Sequence, residues 1–214
     1  MSSAVGPLLV FVLLLNLFIL GTSRLRAAIR ATAIQGVVLG VLAVVLHPHP
    51  TWRDLVVAGA AIALKAIVIP TMLLRAMRNA AIRHDIEPYV GFVASMVLGA
   101  VGTGASLLFA DTLPLAPEHV DSLLVPASMS TTFVGFLVLV SRYKALTQVV
   151  GYLILENGIF IMGLCLLEAM PFLVEVGVLL DLFVGIFVMG IIIQNINRAF
   201  SSSESPAKLT ALRE

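Results

Sequence analysis

A chain of 214 residues with 60% hydrophobic and only 12% charged side chains excludes an ordinary soluble enzyme, where about a quarter of the residues carry charge. Mean hydropathy is +1.08, and the reading is an integral membrane protein. A single cysteine, Cys165, excludes an intrachain disulfide and any zinc or iron–sulfur site built from several cysteines of this chain.

Seven apolar stretches are long enough to cross about 30 Å of hydrocarbon at ~1.5 Å per helical residue. They run roughly over 5–22, 27–46, 54–74, 89–109, 124–141, 146–168 and 172–194. Their short connections predict an all-α fold, one polytopic bundle of about seven transmembrane helices over residues 1–200, with a polar tail at 201–214. The first stretch ends at Gly21, Thr22 and Ser23 but has no Lys or Arg before it, so it is expected to be a retained helix rather than a cleaved leader. Basic residues alternate by connection. Arg24, Arg26 and Arg30 lie in or beside the first, Arg75, Arg78 and Arg83 in the third, Arg142 and Lys144 in the fifth, and Arg198, Lys208 and Arg213 in the tail. The other side holds Arg53 with Asp54, Asp111, Glu118, Asp121 and Glu168. The positive-inside rule then places the N-terminus outside and the C-terminus in the cytoplasm.

Three ionisable residues remain deep inside spans: Lys65, Glu156 and Asp181. Counted from the span ends, each lies about 14 to 17 Å from an edge, near the midplane. An ionised group at that depth costs about 2.5 to 3.5 kcal/mol on insertion scales, so three on one level point to function, with helix-tying ion pairs or acids that stay protonated as the alternatives. Asp181 has Gly177 and Gly185 one turn away on either side, which leaves room for water or a close neighbour, or serves helix packing. Lys65 stands five residues before Pro70, whose ring frees the carbonyl of Ala66; the disrupted turn either lines a hydrated cavity or forms a packing kink. Tyr152 and Asn157 accompany Glu156 and could hydrogen-bond its carboxyl. Glu175, near the start of the seventh span, is either an entrance or exit group for protons or a helix N-terminal acid. Glu156, Asp181, Lys65, Glu175 and Tyr152 are therefore the proton-relay candidates.

His47 and His49 in HPHP fall short of the three or four ligands of a metal site, and GAVGTG in the fourth span lacks the pattern of a phosphate loop. No catalytic, cofactor-binding or metal-binding residue is expected.

The stretches LKAIVIP, QVVGYLILENGIF and VEVGVLLDLFVGIFVMGI resemble component E of hydrogenase-4, the membrane subunit of formate hydrogenlyase-type complexes, over most of the chain. Residues 124–200, following four N-terminal helices in 1–123, also resemble the K subunit of respiratory complex I and the C subunit of multisubunit sodium/proton antiporters. Arg142 and Lys144 match the basic loop of that pattern, Glu156 its first acid, and Asp181 with Gly185 its second, where the K subunit has glutamate. The resemblance implies a multi-pass subunit of a prokaryotic cell membrane, within an oxidoreductase complex but without a redox centre of its own. Implied neighbours are antiporter-like proton-channel subunits and a membrane anchor subunit, and, indirectly, [NiFe] and iron–sulfur peripheral subunits; no nucleic-acid partner is expected. A purely structural subunit and a cation/proton antiporter subunit are the alternatives.

Overall fold

A computed structural model describes residues 4–46, 52–79, 89–113 and 123–165, together with Gly190. Among the described residues the chain is all-helical, with helices at the first six expected positions; the seventh stretch, Gly190 apart, lies outside them. The elements are α1 (Val5–Gly21), α2 (Leu25–Leu46), α3 (Trp52–Ala63), a π-helical turn at Leu64–Val68, α4 (Ile69–Asn79), α5 (Phe92–Ala110), α6 (Leu124–Ser141) and α7 (Ala145–Cys165). Four of them, α2, α5, α6 and α7, are long and apolar enough to cross a membrane, and α1 is a shorter apolar helix of 17 residues. The exposed surface is itself apolar, for example Val93, Val97, Val101 and Leu108 along α5. That is the surface a membrane protein presents to hydrocarbon.

Pro70 does not end the third helix. The backbone ahead of it widens into the π turn that carries Lys65, and the helical path continues through Pro70 into α4. The disrupted turn expected at this point takes the form of a π insertion, with 52–79 otherwise continuously helical.

The interior consists of two apolar clusters with a polar layer between them. One gathers Leu20, Leu25, Ile29, Leu73, Met77, Val138, Val149 and Ile154; the other gathers Leu9, Val12, Leu39, Leu42, Leu124, Ile161 and Leu164. On α1, α2, α6 and α7 the changeover falls at Asn16, Gln35, Thr131, and Glu156 with Asn157, all of them buried. The hydrogen bonds that join them show that the packed helices bring these positions to one height.

At the end of the bundle bearing Arg24 and Lys144, the guanidinium of Arg142 is buried, only 1% exposed. It donates to the carbonyls of Leu20 at 3.0 Å and Val90 at 3.2 Å and lies 4.9 Å from the ring centroid of Phe92. A residue expected in a basic loop therefore ties the last turn of α1 to the entry of α5. Tyr89 reinforces the joint, donating its backbone N–H to the Ser141 carbonyl at 2.8 Å and meeting Tyr143 edge-on.

Helices α6 and α7 meet backbone to backbone. A Cβ added at Gly151 would lie 2.7 Å from the amide nitrogen of Leu139, which no rotamer change relieves, and Gly135 faces the backbone of Leu155 just as closely. Gly151→Ala is therefore expected to cost about 1–3 kcal/mol by overpacking. Gly104→Ala, on open surface, is expected to be neutral or slightly stabilising. Thermal unfolding of the two variants in detergent checks the contrast.

Candidate functional site

The polar layer is built from one or two side chains per helix. On α7, Glu156 and Asn157 are adjacent and both buried, 2% exposed. Burial of two polar residues in lipid-embedded helices requires partners. Lys65 supplies the first, with its Nζ 3.0 Å from Glu156 Oε1 in an ion pair whose side chains are 9% and 2% exposed. The same ammonium donates to Asn157 Oδ1 at 3.3 Å and lies 5.3 Å from the ring centroid of Phe160, one turn beyond Glu156. Glu156, Asn157 and Phe160 thus form a half-ring of carboxylate, amide oxygen and aromatic face, the three kinds of group that solvate an ammonium without water.

Lys65 reaches α7 because α2 gives way. A Cβ at Gly36 would lie 2.7 Å from Lys65 Cβ, and Gly40, one turn on, is in contact with Ile62. Close approach of the two helices therefore depends on the missing side chains at 36 and 40. The π turn adds a residue to the helix at this height, which sets the direction in which Lys65 leaves the backbone.

From Asn157 the hydrogen bonding continues laterally. Asn157 Nδ2 donates to Gln35 Oε1 at 3.4 Å. Gln35 Nε2 donates to Asn16 Oδ1 at 2.7 Å and to the Val12 carbonyl at 3.4 Å. Asn16 Nδ2 donates to Thr131 Oγ1 at 2.9 Å, and next to Thr131 the Ser130 hydroxyl lies 2.7 Å from that of Thr103 on α5. One polar band therefore passes from the π turn through α7, α2 and α1 to α6, with a further hydroxyl pair linking α6 to α5.

Of the five relay candidates, the structure brings Lys65 and Glu156 into direct contact. Tyr152 is partly buried against the apolar cluster one turn from Glu156. Asp181 and Glu175 lie outside the described residues, as do His47 and His49. Sequence reasoning passed over Asn16, Gln35 and Thr131. Single polar residues amid Leu, Ile and Val, they would have emerged had the depth count been applied to neutral polar side chains as well as charged ones. Among the described residues no three His, Cys, Asp or Glu side chains group as metal ligands.

No family model and no solved structure matches the chain. Among curated proteins, the uncharacterized protein Rv0085 of Mycobacterium tuberculosis is 31% identical over 206 residues, covering 94% of this chain and 92% of the relative. Hydrogenase-4 component E of Escherichia coli K12 is 26% identical over 215 residues, 99% of this chain and 98% of the relative, and the protein of that name in Shigella flexneri gives the same figures. With apolar helices of membrane-crossing length and similarity running end to end, this membrane protein belongs to the family of Rv0085 and is a distant homologue of Hydrogenase-4 component E.

Proposed function

We propose that the chain is a non-catalytic membrane-arm subunit of a group 4 [NiFe] hydrogenase or a related complex I-like respiratory complex, and that the Lys65–Glu156 pair lies on its proton path. The observation that carries the reading is the buried ion pair itself, 3.0 Å between Nζ and Oε1 at mid-height of the bundle. The distant, full-length homology to a hydrogenase-4 subunit supports a place in a multisubunit membrane complex. In this reading antiporter-like proton-channel subunits and a membrane anchor subunit are the neighbours, and redox chemistry belongs to peripheral partners.

The pair can gate a proton because its two states differ in charge. With the ammonium beside it, Glu156 is held as a carboxylate; with the ammonium withdrawn, an isolated carboxylate in apolar surroundings takes up a proton and becomes neutral. Return of Lys65 expels that proton. Lys65 is suited to the movement, since it rides on a π turn and closes against a bare glycine face on α2. Asp181, on the proposed seventh span, receives or supplies the proton, and Glu175 and Tyr152 stand at the approaches to the path. Each charge moved against a membrane potential costs about 2.3 kcal/mol per 100 mV, which the partner subunits' redox reaction must supply.

The test is Glu156→Gln in the intact complex, with co-purifying subunits identified alongside. The expected outcome is a complex that assembles with a nickel–iron large subunit, turns over, and no longer translocates protons. Normal translocation in the assembled variant removes the pair from the proton path. Loss of assembly instead favours a structural role, in which the pair serves to hold the π turn on α7. Ion flux through the purified chain alone in liposomes points to an antiporter.

A further inference from the structure

The three amides of the polar layer all face the same way. Asn157, Gln35 and Asn16 each accept on the oxygen from the side of Lys65 and donate from the nitrogen to the side away from it. A carboxamide can turn over and exchange its two ends, so three aligned amides need something that cannot turn. Two such elements bound the run: the Lys65 ammonium, which only donates, and the backbone carbonyl of Val12, which accepts from Gln35 Nε2 at 3.4 Å and stays in place when the lysine moves away. A main-chain carbonyl in α1 is an acceptor in every state. With Gln35 Nε2 facing it, Gln35 Oε1 faces Asn157; Asn157 then donates its Nδ2 there and turns its Oδ1 to Lys65, 3.3 Å from Nζ.

We propose that Gln35 and Asn157 are positioning residues for the Lys65–Glu156 pair, forming a relay from the Val12 carbonyl that always presents an acceptor oxygen to the lysine. Amides neither release nor take up protons under working conditions, so the relay carries orientation and no current. It offers Lys65 a second oxygen beside Glu156, on which the ammonium can rest while the carboxylate exchanges its proton. The charged and titratable groups facing Glu156 from its surroundings are few. Among the described residues Lys65 faces it from the π turn, and Tyr152 lies one turn away on α7. Helices α1 and α6 carry no ionisable side chain, and the arginines of α2, Arg26 and Arg30, are exposed toward the Arg142 end.

The functional consequence rests on the proton-path reading; the geometric one does not, and the experiment separates them. In the tagged full-length chain, with its complex, labelled at lysine 13Cε and asparagine 15Nδ2, solid-state NMR reads the dipolar coupling between Lys65 and Asn157, which is weak while Oδ1 faces the lysine and grows when Nδ2 turns toward it. Gln35→Met removes the relay at its centre and is expected to strengthen that coupling. Asn16→Leu deletes an equally buried amide of the same layer but leaves Val12 facing Gln35, and is expected to keep it weak. Coupling that stays weak in Gln35→Met, or grows alike in both variants, overturns the relay. Protons translocated per turnover, a ratio independent of how much complex accumulates, are expected to fall about tenfold in Gln35→Met and to hold in Asn16→Leu. Asn157→Leu, which removes the last link without touching α2, gives the same tenfold fall if Gln35→Met accumulates poorly; an unchanged ratio in Asn157→Leu overturns the functional role. A predicted NMR pattern combined with unimpaired translocation in Glu156→Gln retains the relay and removes the proton path.

Discussion

Lys65→Met is expected to abolish proton translocation and to lower the stability of the assembled protein, whereas Lys65→Met combined with Glu156→Gln recovers most of the stability and none of the translocation. Removing one partner of a buried pair typically costs about 3–5 kcal/mol, because the other is left without its counter-charge; replacing both by neutral groups of similar size is often close to neutral. The geometry favours that asymmetry. Lys65 and Glu156 are nearly closed off from solvent, 9% and 2% exposed, and Asn157 stays in hydrogen-bond contact with Gln35 whether or not the lysine is there. Thermal unfolding of the tagged protein in detergent, with proton uptake by inverted vesicles, gives both readings. A double variant as unstable as the worse single one would show that the pair is not the source of the loss.

The second large effect is expected at Arg142. Arg142→Met is expected to destabilise the bundle by roughly 3–5 kcal/mol, since hydrogen bonds from a charged donor contribute about 1.5–3 kcal/mol each and one buried and one part-buried carbonyl lose theirs together. The Leu20 carbonyl belongs to the last turn of α1, where no further helical N–H is available to it. Burial pushes the Arg142 guanidinium below its ordinary value, yet arginine stays protonated across any accessible pH. The direction fixes the sign. A base whose folded value is depressed loses stability on protonation, and since both folded and unfolded chains remain protonated here, no pH dependence is expected from this group between pH 5 and about 9. Arg142→Lys is expected to rescue little, because an ammonium cannot reach two carbonyls in a fixed fork and stack on Phe92 at once. Unfolding temperatures of the two variants against pH check both statements.

The places where sequence reasoning and structure agree are those where charge in lipid is decisive. Glu156 and Lys65 could be assigned to one level from helix rise alone, 91 positions apart in the chain, and they meet. Arg142 was legible as a basic residue between two spans but not as a buried one. A short connection reads as exposed, and the approach of Leu20, Val90 and Phe92 from distant parts of the chain covers it. Asn16 and Gln35 were obscured for another reason. A neutral amide is a mild interruption in an apolar run, and its partner, here a Thr on α6 and an Asn on α7, is fixed by helix packing that no local pattern encodes. Pro70 announced a disturbed helix without revealing its form, because a kink and a π insertion relieve the same missing N–H.

The glycine contacts between α6 and α7 have a mechanical meaning for the ion pair. With Gly135 and Gly151 letting main chain press on main chain, the helix bearing Glu156 resists sliding or rolling against its neighbour. The lysine, by contrast, hangs from a widened turn with an extra residue to take up slack. The carboxylate is therefore a fixed post and the ammonium a hinged arm. In the proton-path reading proposed above, a displacement of the π turn, whose Ile67 and Val68 lie exposed, changes the gap between them more readily than a displacement of α7.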